Sequence, residues 1–140
     1  MLGPRESPAD TAAISPVEQL IATEVELPVP GTALVRVIGE VDLLTSPTLG
    51  DSIAEGFAHD PHRLIIDLDK VEFLGTGGIA VLLAARTTAR QRGIELRVVC
   101  TRSRARRPLE FAGLLELFTL SPSAEHALAE PPGPRTNPPT

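Results

Sequence analysis

The sequence has few of the residues on which several common functional classes depend. Its 140 residues include one cysteine, Cys100, and neither tryptophan nor tyrosine. A single cysteine excludes a disulfide within the chain, which is typical of a protein from the reducing cytoplasm. Residues 1–15 contain no apolar stretch of signal-peptide length, and no segment approaches the roughly 20 apolar residues of a membrane-spanning helix. We therefore expect a cytoplasmic protein.

Excess positive charge is also lacking. The formal net charge is −5, and the one basic cluster is the run from Arg102 to Arg107. Nucleic acids and membrane surfaces select proteins with excess positive charge, and single-stranded nucleic acids also stack on aromatic side chains. The chain offers neither, so we expect no nucleic-acid and no membrane partner. The basic run is interpreted as a solvated loop and helix start, or as a local contact to an acidic partner.

The residues of common catalytic and metal sites are missing or wrongly spaced. The three histidines, His59, His62 and His126, form no cluster with the spacing of metal ligands. No Gly-x-Ser-x-Gly motif marks a hydrolase nucleophile. Asp67 and Asp69 are interpreted as ordinary carboxylates near the end of a strand. The sequence therefore predicts a protein that is not an enzyme, with no catalytic residue, no metal and no cofactor.

The length predicts one domain between two disordered ends. Residues 1–16 lack hydrophobic periodicity, and the tail 130–140 is rich in proline, which neither continues a helix nor joins a strand. The remaining residues, 17–129, are enough to bury a single hydrophobic core. We expect the folded domain to occupy this range.

Hydrophobic periodicity divides the domain into alternating strands and helices. Short alternating or β-branched runs predict strands, and apolar residues every three or four positions predict helices. Ser46 and Pro47 are expected to open the first helix as its N-cap and first residue, with Leu49, Ile53 and Phe57 as its buried stripe. The predicted strands are 20–27, 34–41, 63–69, 94–100 and 117–120, and the predicted helices are 46–58, 79–92, 104–112 and a terminal helix. Pro108 predicts that the 104–112 helix starts irregularly or later than Arg104, and Ser121 with Pro122 is expected to cap the terminal helix.

This order, β-β-α-β-α-β-α-β-α, predicts an α/β fold. The first two strands form an antiparallel hairpin, and the later strands are joined through helices by right-handed crossovers. The expected result is a small sandwich with a mixed, mostly parallel sheet of about five strands and helices packed mainly on one face. The apolar run Leu64–Ile66 fits a central strand that is buried on both faces.

A glycine-rich turn between strand and helix is the most informative local feature. The turn Phe73–Gly78 carries one hydroxyl residue, Thr76, and we expect the helix to run on from Ile79. The first N–H groups of a helix have no internal partner and carry partial positive charge. Thr76 is therefore either a helix N-cap, worth about 1 kcal/mol, or a site where a phosphate is stabilised.

The same turn matches a dinucleotide-binding pattern. Residues Gly75 to Ala80 fit Gly-x-Gly-x-x-Ala, and Glu95 lies where a ribose-binding acid would be sought. That acid should end its strand, whereas Glu95 begins one, and five residues, Lys70 to Leu74, separate the predicted strand from Gly75. A small nucleotide-binding domain is therefore kept only as an unfavoured alternative.

Taken together, these residues resemble the STAS-domain anti-sigma-factor antagonists of bacteria. The similarity extends over about residues 18–129, in three segments that keep the family's order and spacing. The central one is an apolar strand, a glycine turn with a hydroxyl and a Leu-rich helix. The segments are VRVIGEVD (35–42) with TSP (45–47), residues 64–83, and LEFAGL (109–114) with Phe118 and residues 122–128.

The resemblance implies a partner and a role for Thr76. Members of the family bind an anti-sigma factor, a serine/threonine kinase of the ATPase fold, and thereby free the sigma factor. The kinase phosphorylates the hydroxyl residue after the motif aspartate, the complex dissociates, and a phosphatase can reverse the change. By position the phosphoacceptor is Thr76, and the motif glycine is Gly78. Gly75 and Gly77 replace the aspartate and a second serine.

The partner-binding surface is expected at this turn, in the helix after it and in the neighbouring strand–helix loop, which Asp42 is expected to hold beside the turn. Its expected residues are Asp42, Thr45, Gly75, Thr76, Gly77, Gly78 and Ile79. The alternative function is a constitutive STAS interaction or scaffold module that is not phosphorylated, which the glycines at 75 and 77 favour.

Overall fold

The computed structural model describes residues 20–133, which form one α/β unit. Its elements follow one another along the chain as strand, strand, helix and then alternating strands and helices. They are β1 (Ile21–Val29), β2 (Thr32–Val41), α1 (Ser46–Ala58), β3 (Arg63–Leu74), α2 (Thr76–Arg92), β4 (Glu95–Val99), α3 (Arg106–Phe111), a 3₁₀ turn (Leu115–Leu117), β5 (Thr119–Leu120) and α4 (Ala124–Ala129).

The five strands lie in one sheet in the order β1-β2-β3-β4-β5. β1 and β2 are antiparallel, and the remaining pairs are parallel. The predicted fold class is therefore confirmed. Because spatial order follows chain order, successive right-handed crossovers place α1 and α2 on the same face of the sheet.

The larger core lies between the sheet and these two helices. The predicted stripe of α1 is buried there with Leu82 of α2 and Ile66 of the central strand β3. Ile65, the next residue of β3, points to the opposite face, since side chains alternate along a strand. On that face a smaller cluster packs under α4, formed by Leu34, Ile65, Val99, Ala124 and Ala127. The central strand is thus buried on both faces, as predicted.

The boundaries around the glycine turn differ from the predicted ones. β3 runs to Leu74 rather than Asp69, because its last residues continue to pair with β2 after two register shifts and finish at Val41–Leu74. α2 begins at Thr76 rather than Ile79. The carbonyl of Gly75 accepts the N–H of Ile79 at 3.1 Å, so the glycines form the first helical turn instead of a separate loop.

Helix caps also differ from the sequence prediction. Thr45, not Ser46, is the N-cap residue of α1, and no side chain caps that helix. Ser123, not Ser121, caps α4 by accepting the N–H of His126 at 2.9 Å. The start of α3, in contrast, is later than Arg104, as Pro108 predicts: the helix begins at Arg106, which places Pro108 in the first turn, where a missing N–H has no cost.

The predicted disordered segment 1–16 and residues 134–140 of the predicted tail lie outside the described residues, so the domain limits of 17–129 remain a prediction. Within residues 20–133, no helix combines the length and apolar character needed to cross a membrane.

Candidate interaction site at the start of helix α2

The site lies where β2 and β3 end side by side and lead into α1 and α2. The N–H of Gly75 donates to the carbonyl of Val41 at 2.8 Å, which ties the start of α2 to the end of β2. Parallel neighbours end at the same edge of a sheet, so the 42–46 loop and the glycine turn meet there.

Thr76 is the first residue of α2 and is exposed. The N-cap position belongs to Gly75, whose backbone is extended (φ −90°, ψ −176°). Within residues 20–133 the Thr76 hydroxyl has no hydrogen-bond partner. The interpretation of Thr76 as a simple helix cap is therefore wrong, because its side chain lies one position too late to reach the N–H groups that a cap serves.

The backbone around Thr76 presents unpaired donors. The N–H of Ile79 is the first in α2 with an acceptor, so the N–H groups of Thr76, Gly77 and Gly78 have none within the described part of the chain. Their partial positive charge is reinforced by the helix dipole. An anion next to Thr76 would be stabilised by these groups.

Gly77 and Gly78 are closely packed, and Gly78 more tightly than Gly77. A Cβ atom on Gly78 would lie 2.5 Å from Cδ1 of Leu74 and 2.6 Å from Cγ1 of Val41. A Cβ atom on Gly77 would lie 2.9 Å from Oγ of Ser46 and 3.4 Å from the carbonyl oxygen of Asp42. The loop thus lies directly against the turn, and a second hydroxyl residue at position 77 would require the Ser46 side chain to move.

Asp42 organises the 42–46 loop. Its Oδ1 accepts the N–H groups of Leu44 and Thr45 at 2.9 and 3.0 Å. Hydrogen bonds to the carboxylate, led by the backbone N–H of Thr45, hold the pKa of Asp42 below its ordinary value, although lost hydration acts in the opposite direction. Asp42 is therefore charged at neutral pH and fixes the loop as an Asx turn.

Thr45 supports the loop from inside. Its side chain is fully buried, and its hydroxyl lies 2.8 Å from the carbonyl oxygen of Glu40 and accepts the N–H of Asp42 at 2.8 Å. Ile79 likewise packs against the core and is only partly buried. These two expected contact residues position the surface, whereas Thr76 lies on it.

Three apolar residues of this surface were not predicted. Leu43 and Leu44, in the loop, and Phe73, before the turn, are exposed. Two adjacent leucines in a short strand–helix connection were the available signal, because they fit neither strand alternation nor a helical stripe. Phe73 was assigned to the predicted turn, whereas the structure places it in the last part of β3, with its ring exposed.

The geometry argues against the dinucleotide alternative. Gly75 directly follows β3, so the objection based on five intervening residues was wrong. Glu95, however, pairs with Arg63 at the start of β3, which is the opposite end of the sheet from Gly75. Its carboxylate contacts Arg97 at 2.6 Å. It therefore lies far from any ligand held at the turn.

Comparisons with known proteins agree with this architecture. A family model described as STAS domain matches residues 8–127. The chain is 38% identical over 98 residues to the anti-sigma-F factor antagonist RsfB of Mycobacterium tuberculosis, covering 70% of this chain and 80% of RsfB. It is 26% identical over 98 residues to RsfA of the same organism, covering 69% and 77%.

Solved structures show the same fold. The crystal structure of an anti-sigma factor antagonist from Mycobacterium paratuberculosis matches with a TM-score of 0.67 and 34% identity, over 82% of this chain and 95% of that one. Phosphorylated SpoIIAA of Bacillus matches with a TM-score of 0.60 and 16% identity, over 77% and 97%.

Proposed function

We propose, from the premise that this chain belongs to the STAS-domain family, that it is an anti-sigma-factor antagonist whose binding is switched by phosphorylation of Thr76. RsfB and the Mycobacterium paratuberculosis protein, both over 30% identical to this chain, are anti-sigma factor antagonists by name. The observation that best supports this switch is that the Thr76 hydroxyl is exposed and makes no hydrogen bond within residues 20–133.

The unphosphorylated chain binds its anti-sigma factor through the turn Gly75–Gly78 and the adjoining loop that Asp42 holds. Binding occupies the anti-sigma factor and frees its sigma factor. The antagonist acts by binding in the cytoplasm and performs no catalysis of its own. Its rigid loop and helix start favour affinity, because little conformational entropy is lost when they are covered.

Phosphorylation reverses the interaction. The anti-sigma factor, acting as a kinase, transfers the γ-phosphoryl group of ATP to the oxygen of Thr76, the hydroxyl proton is released and ADP leaves. The new group carries a charge of roughly −2, which the N–H groups of Thr76, Gly77 and Gly78 stabilise. Centred on the contact surface, this charge must be desolvated in the complex, so the complex dissociates. A phosphatase restores the binding form.

A constitutive STAS module is the second candidate. Gly75 and Gly77 stand where the family pattern has an acidic and a hydroxyl residue, and a kinase that reads those side chains would not position this turn. In that case the partner remains bound whatever group Thr76 carries.

The experiment that separates the two is affinity capture from the native host with three baits, namely wild type, Thr76→Ala and Thr76→Glu. We expect an ATPase-fold anti-sigma kinase with the wild type and the alanine variant and its loss with the glutamate variant. Equal recovery with all three baits would contradict the switch. Thermal unfolding of each bait is the control. The alanine variant should unfold like the wild type because Thr76 makes no cap, and the glutamate variant should be no less stable because a carboxylate is favourable in the first helical turn.

A further inference from the structure

We infer that Leu43, Leu44 and Phe73 form an apolar anchor around Thr76, and that the anti-sigma factor covers this anchor with an apolar surface of its own. The inference rests on the proposed function and names how that partner is recognised. The three residues are called the anchor below. None of them is among the named site residues, although Leu43 and Leu44 lie in the expected loop, and the anchor explains how a turn without its usual carboxylate recognises a partner.

The side chains of the anchor are unusually exposed to solvent for apolar residues of their size. Leu43, Leu44 and Phe73 are 81%, 67% and 50% exposed, although each is large and apolar. Single exposed apolar residues are common on protein surfaces and need no explanation. Here, however, all three lie at the same edge of the sheet, in two segments that lie against the turn that carries Thr76. Such grouping is typical of an interaction surface.

The two leucines are held outward by a rigid loop. Asp42 accepts the N–H of Leu44, the carbonyl of Asp42 accepts the N–H of Ser46 at 2.9 Å, and the buried Thr45 closes the loop from inside. This loop keeps its apolar side chains in water instead of folding them onto the core. A preorganised apolar projection is the kind of feature that becomes a binding hot spot.

The ring of Phe73 lies close to the Cα atom of Gly75, where a larger residue would carry its side chain. A Cβ atom on Gly75 would lie 3.1 Å from Cε2 of the Phe73 ring, closer than ordinary packing allows. The ring therefore lies over the place where the family's acidic side chain would start. An aspartate at position 75 would require this ring to shift by a few tenths of an ångström, so this chain has an aromatic ring close to where the family pattern has a carboxylate.

We expect the partner's surface to be apolar because this chain has an aromatic ring near the position where the family pattern has a carboxylate. The carboxylate of the loop, Asp42, already accepts the N–H groups of Leu44 and Thr45. The carboxylate that the family pattern has at position 75 is absent. The anchor is continuous with the Thr76 surface, which the anti-sigma factor must cover if phosphorylation is to break the contact. The same arrangement strengthens the switch, because an apolar partner surface offers the phosphate no charge or hydrogen bond in exchange for the water that it loses.

The test measures the affinity of the anti-sigma factor recovered with the wild-type bait for purified variants. Leu44→Ser and Phe73→Ser should each weaken binding at least tenfold, the range expected when a buried apolar anchor is truncated. Leu27→Ser and Phe111→Ser are the matched controls, since Leu27 and Phe111 are 56% and 84% exposed and lie outside the anchor. Both controls should bind like the wild type.

Gly75→Asp gives the sharper result. Restoring the family's residue should weaken binding, because the new side chain shifts the Phe73 ring and places a carboxylate beside the apolar anchor. The same substitution should weaken the binding of the Phe73→Ser variant much less. Tighter binding by Gly75→Asp, or unchanged binding by Leu44→Ser and Phe73→Ser, would overturn the inference and leave the proposed function standing. If the wild type captures no anti-sigma factor, the proposed function fails and the inference fails with it.

A second copy of the chain is the competing occupant. Sedimentation of the wild type at about the concentration used for binding should show a monomer. Self-association that Leu44→Ser abolishes would assign the anchor to a dimer interface and overturn the inference. Thermal unfolding of every variant checks that the exposed substitutions leave the fold intact.

Discussion

Gly78 gives the most quantitative test of how the site is packed. A Cβ atom there would lie 2.5 Å from Cδ1 of Leu74 and 2.6 Å from Cγ1 of Val41. Both atoms belong to side chains that are almost fully buried, so neither can move aside freely. We therefore expect Gly78→Ala to overpack the junction between the strand ends and α2.

The magnitude follows from two opposing effects. Overpacking a buried contact costs about 1–3 kcal/mol. Replacing glycine with alanine in a helix gains up to about 1 kcal/mol, and less in the first turn, where Gly78 lies. The expected net loss in the free energy of unfolding is about 1–2 kcal/mol, from the difference of these effects. For a domain of this size the melting temperature should fall by roughly 3–8 °C.

The assay is urea denaturation followed by circular dichroism, with Gly50→Ala as the matched control. Gly50 also lies in a helix, but its Cβ atom would have only ordinary contacts, the nearest at 3.9 Å from Cγ1 of Val81. That variant should be as stable as the wild type or more stable by up to about 1 kcal/mol. If Gly78→Ala is as stable as Gly50→Ala, the packing argument is refuted.

Two further predictions concern titratable groups. Asp42→Ala should lower the melting temperature at pH 7. Because folding lowers the pKa of Asp42 from its ordinary value of 3.8, the difference from the wild type should be full above that pH and shrink as the pH falls through the folded pKa. A difference that is independent of pH would exclude the charged carboxylate as the cause. Burial raises the pKa of the Cys100 thiol, with Asp69 adding to the effect and Arg106 opposing it. A disulfide reagent at pH 8 should therefore label Cys100 far more slowly in the native chain than in urea, and rapid native labelling would contradict its burial.

Periodicity was sufficient to predict the sheet, because the chain alternates strands and helices with few long insertions. Leu49, Ile53 and Phe57 recur every four residues, and the structure buries all three. Right-handed crossovers then leave one arrangement for α1 and α2. The fold class was therefore predictable before any contact was known.

The details of the site were less predictable, since they depend on distances between segments. The start of α2 at Thr76 depends on whether Thr76, Gly77 and Gly78 adopt helical backbone geometry, and their residue types do not decide this. A Cβ atom at position 77 would lie 2.9 Å from Oγ of Ser46, a residue 31 positions earlier in the sequence. The sequence alone does not show that these two positions are close. Likewise, the relation between Phe73 and Gly75 depends on ring position, which is a property of packing.

The most direct test of the account is to mix the purified chain with its purified anti-sigma factor and ATP, and to follow the complex and the Thr76 peptide together. The account predicts that phosphate accumulates on Thr76, that the complex dissociates at the same rate, and that the Thr76→Ala complex persists. A phosphate on another residue, or a complex that remains intact while Thr76 is phosphorylated, would contradict it.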